Sequence, residues 1–101
     1  RGAALVEHGV VGDYLTKFAV GAEARGLGLA QELWREVTAH HSRLFWRSRE
    51  SNPINPWYKQ HADGRHRANG WMVFWRGIPV EDIADVISAC LVRPPDFIED
   101  G

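Results

Sequence analysis

The sequence has 101 residues, of which 45% are hydrophobic and 25% charged; this length and balance fit one folded domain and exclude a disordered chain. Its net charge of −1 provides no basic excess for a phosphate backbone, so we expect no nucleic-acid partner. The single cysteine, Cys90, excludes an internal disulfide, and no apolar run approaches the roughly 20 residues that span a bilayer, so we expect no membrane partner.

The beginning of the chain predicts a β-hairpin. Residues 3–6 are small and apolar and predict a short strand. Residues 14–20 are aromatic and β-branched and predict a second strand. Between them, residues 8–13 contain two glycines, which favour a turn.

A glycine-containing loop at residues 21–28 leads into a predicted helix and then a third strand. Apolar residues recur at helical intervals as far as about His40; they are Leu29, Leu33, Trp34 and Val37. Residues 43–49 predict a strand that carries Leu44 and Trp46 on one face.

The second half of the chain begins with a turn-rich segment that contains two Asn-Pro pairs, and a residue before proline is biased away from helix. The elements predicted after it are a short helix, a polar loop, a strand and a last helix, at residues 56–60, 62–70, 71–75 and 78–91. Pro94-Pro95 is the predicted stop of the last helix, and Cys90 on its apolar face is expected to be a core residue.

The glycine loop between the second strand and the first helix is a candidate phosphate-binding site. The first turn of a helix offers unpaired backbone N–H groups and the positive end of the helix dipole, and small residues let a pyrophosphate approach them. The segment Arg25-Gly26-Leu27-Gly28-Leu29-Ala30 fits the pattern Arg/Gln-x-x-Gly-x-Gly/Ala. A Walker loop would need Gly-Lys-Ser/Thr, and a dinucleotide fold would need a third glycine where Gln31 stands. A plain strand-to-helix turn is the alternative.

Arg47 and Arg49 in the third strand are candidate ligands for an acidic substrate. Alternate residues of a strand share a face, and Lys17 in the second strand is a possible third cation. Two or three converging cations suit a small dicarboxylate, because each carboxylate can take a bidentate arginine pair. Alternatively, the arginines pair with aspartates or glutamates of the protein itself.

Tyr58 and Asn52 are further candidate site residues. The phenol of Tyr58 could donate a proton to a departing thiolate, or the side chain could pack with one hydrogen bond. Asn52 could bind substrate, or it could shape the turn before Pro53. The histidines have no nearby cysteines and form no helical i, i+4 pair with a carboxylate, so no metal site is expected.

Five segments of the chain together carry a resemblance to a known family. They are Tyr14-Leu15-Thr16-Lys17-Phe18-Ala19-Val20, Leu44-Phe45-Trp46-Arg47-Ser48-Arg49, Asn52-Pro53-Ile54-Asn55-Pro56-Trp57-Tyr58, His61-Ala62-Asp63-Gly64 and Trp71 to Trp75. These segments resemble the acetyltransferase domain of vertebrate-like N-acetylglutamate synthases, a domain that bacterial bifunctional synthase/kinases carry after an amino-acid kinase domain. The glycine loop resembles the coenzyme A pyrophosphate loop of GNAT acetyltransferases. Thr16 departs from the usual Asp of the family between Leu15 and Lys17.

The resemblance implies an α/β (α+β) domain of the GNAT acyltransferase fold, with a mixed central sheet flanked by helices. Residues 1–101 would form the C-terminal portion of one such domain, with the rest of the domain and any kinase domain outside this sequence. The whole protein would act in arginine biosynthesis, form a homo-oligomer through the kinase domain and respond to arginine as a possible regulator. It would be cytoplasmic in a bacterium and mitochondrial if it is of the vertebrate type.

The implied reaction transfers the acetyl group of acetyl-CoA to the α-amino group of L-glutamate. Acetyl-CoA would lie against the second strand and the glycine loop; the residues expected to bind it are Phe18, Ala19, Val20, Arg25, Gly26, Leu27, Gly28, Leu29 and Ala30. A backbone N–H near Ala19 or Val20 would polarise the thioester carbonyl.

The resemblance also assigns the side chains that would act on glutamate and on the leaving group. Lys17, Arg47 and Arg49 would hold the substrate carboxylates, with Asn52 assisting. Tyr58 would protonate the coenzyme A thiolate. No side chain stands out as the base for the amine, which leaves a water relay for that proton.

Two alternatives stay open at this point. Similar domains attached to acetylglutamate kinases regulate rather than catalyse, and a regulatory module would not need Tyr58 or an intact carboxylate clamp. A GNAT enzyme that acts on another acidic amine is the other alternative. Tyr58 and the candidate clamp are all present, which favours catalysis.

Overall fold

The apolar spacings of the sequence become strands and helices in the computed structural model, which describes residues 2–20 and 28–95. The strands are β1 Gly2–Glu7, β2 Asp13–Val20, β3 Leu44–Arg49, β4 Gly64–Ala68 and β5 Trp71–Arg76. The α-helices are α1 Leu29–His40, α2 Asn55–His61 and α3 Ile83–Val92, and one turn of 3₁₀ helix, Val80–Asp82, precedes α3. None of the helices in these ranges is long and apolar enough to cross a membrane.

The five strands form one mixed sheet in the order β1-β2-β3-β5-β4. β2 and β3 run parallel, whereas β1 with β2, β3 with β5, and β4 with β5 are antiparallel. The helix between β2 and β3 provides the crossover that a parallel pair requires. The expected fold class, a mixed sheet flanked by helices as in GNAT acyltransferases, is confirmed.

Each face of the sheet packs against its own helices. On one face, which we call the α1–α2 face, Leu15, Trp46 and Phe74 pack with Trp34 of α1 and Tyr58 of α2. The other face, the α3 face, carries a second cluster; its members are Tyr14, Phe45, Val73, Ile78, Val86 and Cys90. Cys90 is fully buried, so its predicted place in the core is confirmed.

The prediction of a polar loop at residues 62–70 is wrong, because β4 lies within it. This strand is at the edge of the sheet and three of its residues are exposed, so it shows no apolar alternation. Its connection to β5 is the dipeptide Asn69-Gly70, with φ of 56° and 82°. Two residues with positive φ match the type I′ hairpin turn that Asn-Gly favours, and this dipeptide is the signal that predicts the hairpin.

The last helix begins at Ile83 rather than at Ile78. Pro79 follows Ile78, and the residue before a proline is biased away from the helical region. Ile78 is buried on the α3 face instead, and the chain enters α3 through the 3₁₀ turn.

Candidate active site

The parallel strands β2 and β3 are paired only at their beginnings. Their registered pairs are Asp13 with Leu44 and Tyr14 with Phe45, although β2 continues to Val20 and β3 to Arg49. Beyond these pairs the ladder between the two strands ends, and we call the gap between their unpaired parts the wedge. Since backbone N–H and C=O groups require partners, the facing edges of the wedge offer donors and acceptors to a ligand. The wedge opens at the carboxyl ends of parallel strands, where open α/β sheets bind ligands.

A one-residue bulge in β2 decides which side chains border the wedge on each face. β1 pairs Leu5 with Lys17 but Val6 with Leu15, so Thr16 is an extra residue in β2. Leu15 and Phe18 both pack on the α1–α2 face although they are three residues apart. Lys17 is therefore turned to the α3 face.

The three candidate substrate cations lie on this α3 face. Arg47 and Arg49 lie two and four residues after Phe45 in β3, so they share the face of this member of the α3 cluster. Both guanidinium groups lie 3.9 Å from the ring centroid of Trp71. Lys17 faces the same side across the wedge. The three side chains that the sequence singled out therefore lie on one face of the sheet.

The side chain of Arg47 is hydrogen-bonded to the end of α3. Its side chain is 6% exposed, and its Nη1 donates hydrogen bonds of 2.9 Å to the carbonyls of Cys90 and Arg93. Its Nη2 donates at 2.9 Å to the carbonyl of Pro94. These carbonyls lie at the C-terminal end of a helix, where acceptors lack intrahelical partners and the dipole favours a cation. Arg47 thus has a structural role, and binding of a carboxylate by Arg47 stays a prediction.

Lys17 and Arg49 are the accessible cations of the set. Both are partly exposed, and no carboxylate in residues 2–20 and 28–95 forms an ion pair with either. The alternative that these cations pair with acidic residues of the protein has no support within those ranges. Two unpaired charges on one face suit a dicarboxylate.

The α1–α2 face of the wedge is aromatic and carries Tyr58. The ring of Phe18 stacks on Trp57 with centroids 5.6 Å apart and lies 6.4 Å from the ring of Tyr58. Tyr58 is 6% exposed and also contacts Trp46 and Phe74. This tyrosine is carried by helix α2. Pro56 lies in the first turn of that helix, where proline is tolerated. Tyr58 and the cations therefore lie on opposite faces of the sheet.

Asn52 lies in the turn that joins β3 to α2. Its Oδ1 accepts a hydrogen bond of 3.1 Å from the N–H of Ile54, an Asx turn that sets the direction of the chain before the helix. Its Nδ2 donates to no residue within the described ranges. The side chain is partly exposed, so the turn-shaping role is present and the amide donor is available for a second role.

The glycine loop is described only at its end. Arg25, Gly26 and Leu27 lie outside the described residues. Gly28 is the N-cap of α1, with φ of 80°, in the left-handed region that favours glycine. Leu29 and Ala30 follow in the first turn of α1, where backbone N–H groups are unpaired.

The backbone of Phe18, Ala19 and Val20 forms the other side of this candidate cofactor site. Along one edge these residues pair with Ala4, Ala3 and Gly2 of β1. In an antiparallel ladder alternate residues direct their N–H and C=O groups away from the partner, and here that direction is into the wedge. The geometry accommodates the predicted backbone donor near Ala19 or Val20.

Two buried polar residues beside the wedge were missed from the sequence. Ser48 lies in β3 on the same face as Trp46, and its Oγ has no hydrogen-bond partner within the described ranges. The Nδ2 of Asn55 donates to the carbonyls of Arg49 and Glu50, but its Oδ1 also has no partner there. An unsatisfied buried polar group costs about 1–3 kcal/mol. Asn55 between Ile54 and Pro56 carries a sequence signal for such a site, whereas Ser48 stands between two arginines and carries none.

The closed end of the wedge is held by Asp13. Its N–H donates to the carbonyl of Arg43 at 2.8 Å, and its Oδ2 accepts a hydrogen bond of 2.7 Å from Nδ1 of His41. His8 lies 3.1 Å from the other carboxylate oxygen. The hydrogen bond from His41 is the main cause that lowers the pKa of Asp13 below its usual value, with smaller contributions from Gly9 and His8. No group of three or more potential ligands in residues 2–20 and 28–95 could hold a metal ion.

Comparisons with known proteins found a matching family model and several relatives. The family model "NAT, N-acetyltransferase, of N-acetylglutamate synthase" matches residues 1–92. The protein named "N-acetylglutamate synthase, mitochondrial" of Danio rerio is 48% identical over 85 residues, which cover 83% of this chain and 16% of that protein. The protein of the same name from Homo sapiens is 39% identical over 85 residues, with the same two shares of 83% and 16%.

A bacterial relative has a different name. The protein named "Acetylglutamate kinase" of Xylella fastidiosa is 36% identical over 87 residues, which cover 85% of this chain and 21% of that protein. The chain therefore spans between 16% and 21% of the length of these curated relatives.

Proposed function

This chain belongs to the N-acetyltransferase domain family of N-acetylglutamate synthase, and we propose on that premise that its wedge is the site of acetyl transfer from acetyl-CoA to the α-amino group of L-glutamate. The observation that carries the proposal is the separation of β2 from β3 after Tyr14 and Phe45, with cations on one face of the opening and Tyr58 on the other. A substrate amine that enters from the α3 face would meet a thioester held between the strands.

The residues around the wedge fit acetyl-CoA. This co-substrate would supply an acetyl group activated as a thioester. Backbone groups of Phe18 to Val20 that point into the wedge would hydrogen-bond the pantetheine amides and the thioester carbonyl. The N–H groups of Leu29 and Ala30 would bind the pyrophosphate, together with the loop Arg25-Gly26-Leu27 predicted from the sequence. The buried Oγ of Ser48 supports a polar ligand here, because the hydroxyl would gain a partner.

L-glutamate fits the α3 face because it carries two carboxylates. Lys17 and Arg49 each offer a charge without a carboxylate partner in the described ranges, and Nδ2 of Asn52 offers a neutral donor nearby in the chain. Arg47 is the third cation predicted to bind glutamate, and any such contact would be additional to its three hydrogen bonds to carbonyls at the end of α3. In this proposal Arg47 mainly supports the site by joining β3 to the end of α3.

Tyr58 is the proposed proton donor to the departing thiolate. A phenol stays protonated at neutral pH and can donate as the carbon–sulfur bond breaks. The surrounding rings of Phe18, Trp46 and Phe74 exclude water from the phenol and fix its orientation. The proton of the amine leaves through water in this proposal, since no side chain of the sequence stands out as its base.

A second candidate function is a regulatory module without acetyl transfer. The relative named "Acetylglutamate kinase" favours it, because a domain of this family is part of a protein with that name. The presence of Lys17, Arg49 and Tyr58 around the wedge favours catalysis, since a regulatory module needs none of them. Homo-oligomerisation through a kinase domain and a response to arginine stay predictions for the whole protein.

An acetyl-transfer assay on the full-length protein distinguishes these functions. Release of coenzyme A is measured with L-glutamate, L-aspartate and L-glutamine as acceptors. We expect glutamate to be preferred, and Arg49→Ala to raise its KM about tenfold or more, since losing one partner of a desolvated ion pair costs about 2–5 kcal/mol. The acetyl-CoA KM should hardly change. A wild-type protein that binds acetyl-CoA but acetylates none of the three acceptors would favour the regulatory function.

A further inference from the structure

The bulge in β2 has one side-chain support that the proposed reaction does not use. Thr16 is the extra residue of the bulge, and its Oγ1 donates a hydrogen bond of 3.0 Å to the carbonyl of Leu5 on the neighbouring strand β1. Leu5 is the registered partner of Lys17. The hydroxyl therefore ties the bulge to the strand position that faces Lys17.

The position of the bulge decides which face Lys17 occupies. Were the pairing of Val6 with Leu15 continued without a bulge, Ala4 would face Lys17. Ala4 packs on the α1–α2 face, so the amine would then point into an apolar cluster away from Arg49. A one-residue change of register moves every later side chain of a strand to the opposite face. The bulge is thus what places Lys17 and Arg49 on one side of the wedge.

Two contacts hold this register. Phe18, the residue after Lys17, packs on Trp34 and Trp57 with ring centroids 5.5 and 5.6 Å away. Thr16 adds the hydrogen bond to Leu5. Because Phe18 retains its packing, loss of the hydroxyl alone should loosen the bulge rather than abolish it.

We infer that Thr16 is a positioning residue for substrate binding: its hydroxyl stabilises the bulge that directs Lys17 to the face on which glutamate is proposed to bind. The inference rests on the proposed function for the identity of the substrate.

The test compares Thr16→Val with Thr16→Ser in the full-length protein. Valine keeps the branched shape but lacks the hydroxyl, whereas serine keeps the hydroxyl. One hydrogen bond is worth about 0.5–1.5 kcal/mol, so Thr16→Val should raise the glutamate KM about 2- to 12-fold. Thr16→Ser should restore the wild-type KM, and neither variant should change the acetyl-CoA KM. Thr38→Val is the matched control, because it removes a hydroxyl bonded to the Trp34 carbonyl in α1.

A double-mutant cycle with Lys17→Ala separates positioning from a general structural effect. If Thr16 acts through Lys17, Thr16→Val should not raise the glutamate KM further once Lys17 is alanine. Amide hydrogen exchange at Leu5 and Lys17 should accelerate in Thr16→Val and not in Thr38→Val. Multiplicative effects of the two substitutions, or unchanged exchange, would overturn the inference while the proposed function stands. A wild-type protein inactive towards glutamate would instead overturn the proposed function, and the substrate role of Lys17 with it.

Discussion

The contrast between Arg47 and Arg49 gives the most discriminating test of the site. Arg47→Ala removes a buried guanidinium that donates to three carbonyls at the end of α3. Hydrogen bonds from a charged group contribute about 1.5–3 kcal/mol each, and water can reach the two part-buried carbonyls, those of Arg93 and Pro94, so we expect a total loss of about 3–5 kcal/mol. For a domain of this size that lowers the melting temperature by roughly 12–40 °C. The same end of α3 carries Arg93, which pairs with Glu7 of β1 and lies over Tyr14.

Arg49→Ala is the matched control for this measurement. Arg49 lies on the same strand and face and over the same Trp71 ring, but its guanidinium donates to no carbonyl within the described ranges. Thermal unfolding followed by circular dichroism should therefore show a large shift for Arg47→Ala and a small one for Arg49→Ala. Arg47→Lys should rescue little, because one ammonium cannot reproduce the planar fork. Equal melting temperatures for the two alanine variants would refute the assignment of Arg47 to the end of α3.

Substitutions at three further positions test other parts of the site. Tyr58→Phe should lower turnover by about 10²–10⁴-fold, the usual contribution of a proton donor, with little change in either KM; near-normal turnover would leave water as the donor. Asparagine tolerates the left-handed conformation, so Gly28→Asn should weaken coenzyme A binding in calorimetry without lowering the melting temperature. Gly28→Val should both weaken the binding and lower the melting temperature. Unchanged affinity for coenzyme A would show that this loop is not part of the site. Because the pKa of Asp13 is lowered in the folded state, its ionised carboxylate stabilises the fold above pH 3.8, the usual pKa of the group. This stabilisation is lost as the pH falls through the lowered pKa. The Asp13→Asn variant should therefore have a lower free energy of unfolding than the wild type at neutral pH. The difference in free energy between the two proteins should become smaller as the pH is lowered. A difference that does not change with pH would contradict this reasoning.

The sequence predicted those parts of the fold that depend on local spacing. The helical interval of Leu29, Leu33, Trp34 and Val37 and the alternation of β3 are properties of neighbouring residues, and both are confirmed. The placement of Arg47 and Arg49 on one face follows from the same alternation. Strand β4 was missed because an exposed edge strand needs no apolar residues, although Asn69-Gly70 marks its turn.

Two features of the site could not be predicted because they depend on contacts distant in sequence. The bulge at Thr16 exists only relative to the pairing with β1, and nothing in the order Leu15-Thr16-Lys17 distinguishes it from regular alternation. The partners of Arg47 are carbonyls 43 to 47 residues later in the chain. A pattern of residue types identifies a cation on a strand, but only the packed structure shows what that cation already binds.

The separation of β2 from β3 explains why one short strand can serve both halves of the proposed reaction. β3 directs Trp46 and Ser48 to the α1–α2 face, where Tyr58 lies, and Arg49 to the α3 face, where an acidic acceptor would bind. In a continuous sheet these two faces would be isolated from each other by the ladder of backbone hydrogen bonds. Because the ladder ends after Tyr14 and Phe45, groups on opposite faces could act on the same amine and thioester bound between the strands. The opening leaves backbone groups of both strands to be satisfied by ligand or water, and a bound thioester substrate that satisfies them would strengthen the sheet at the place proposed for the reaction.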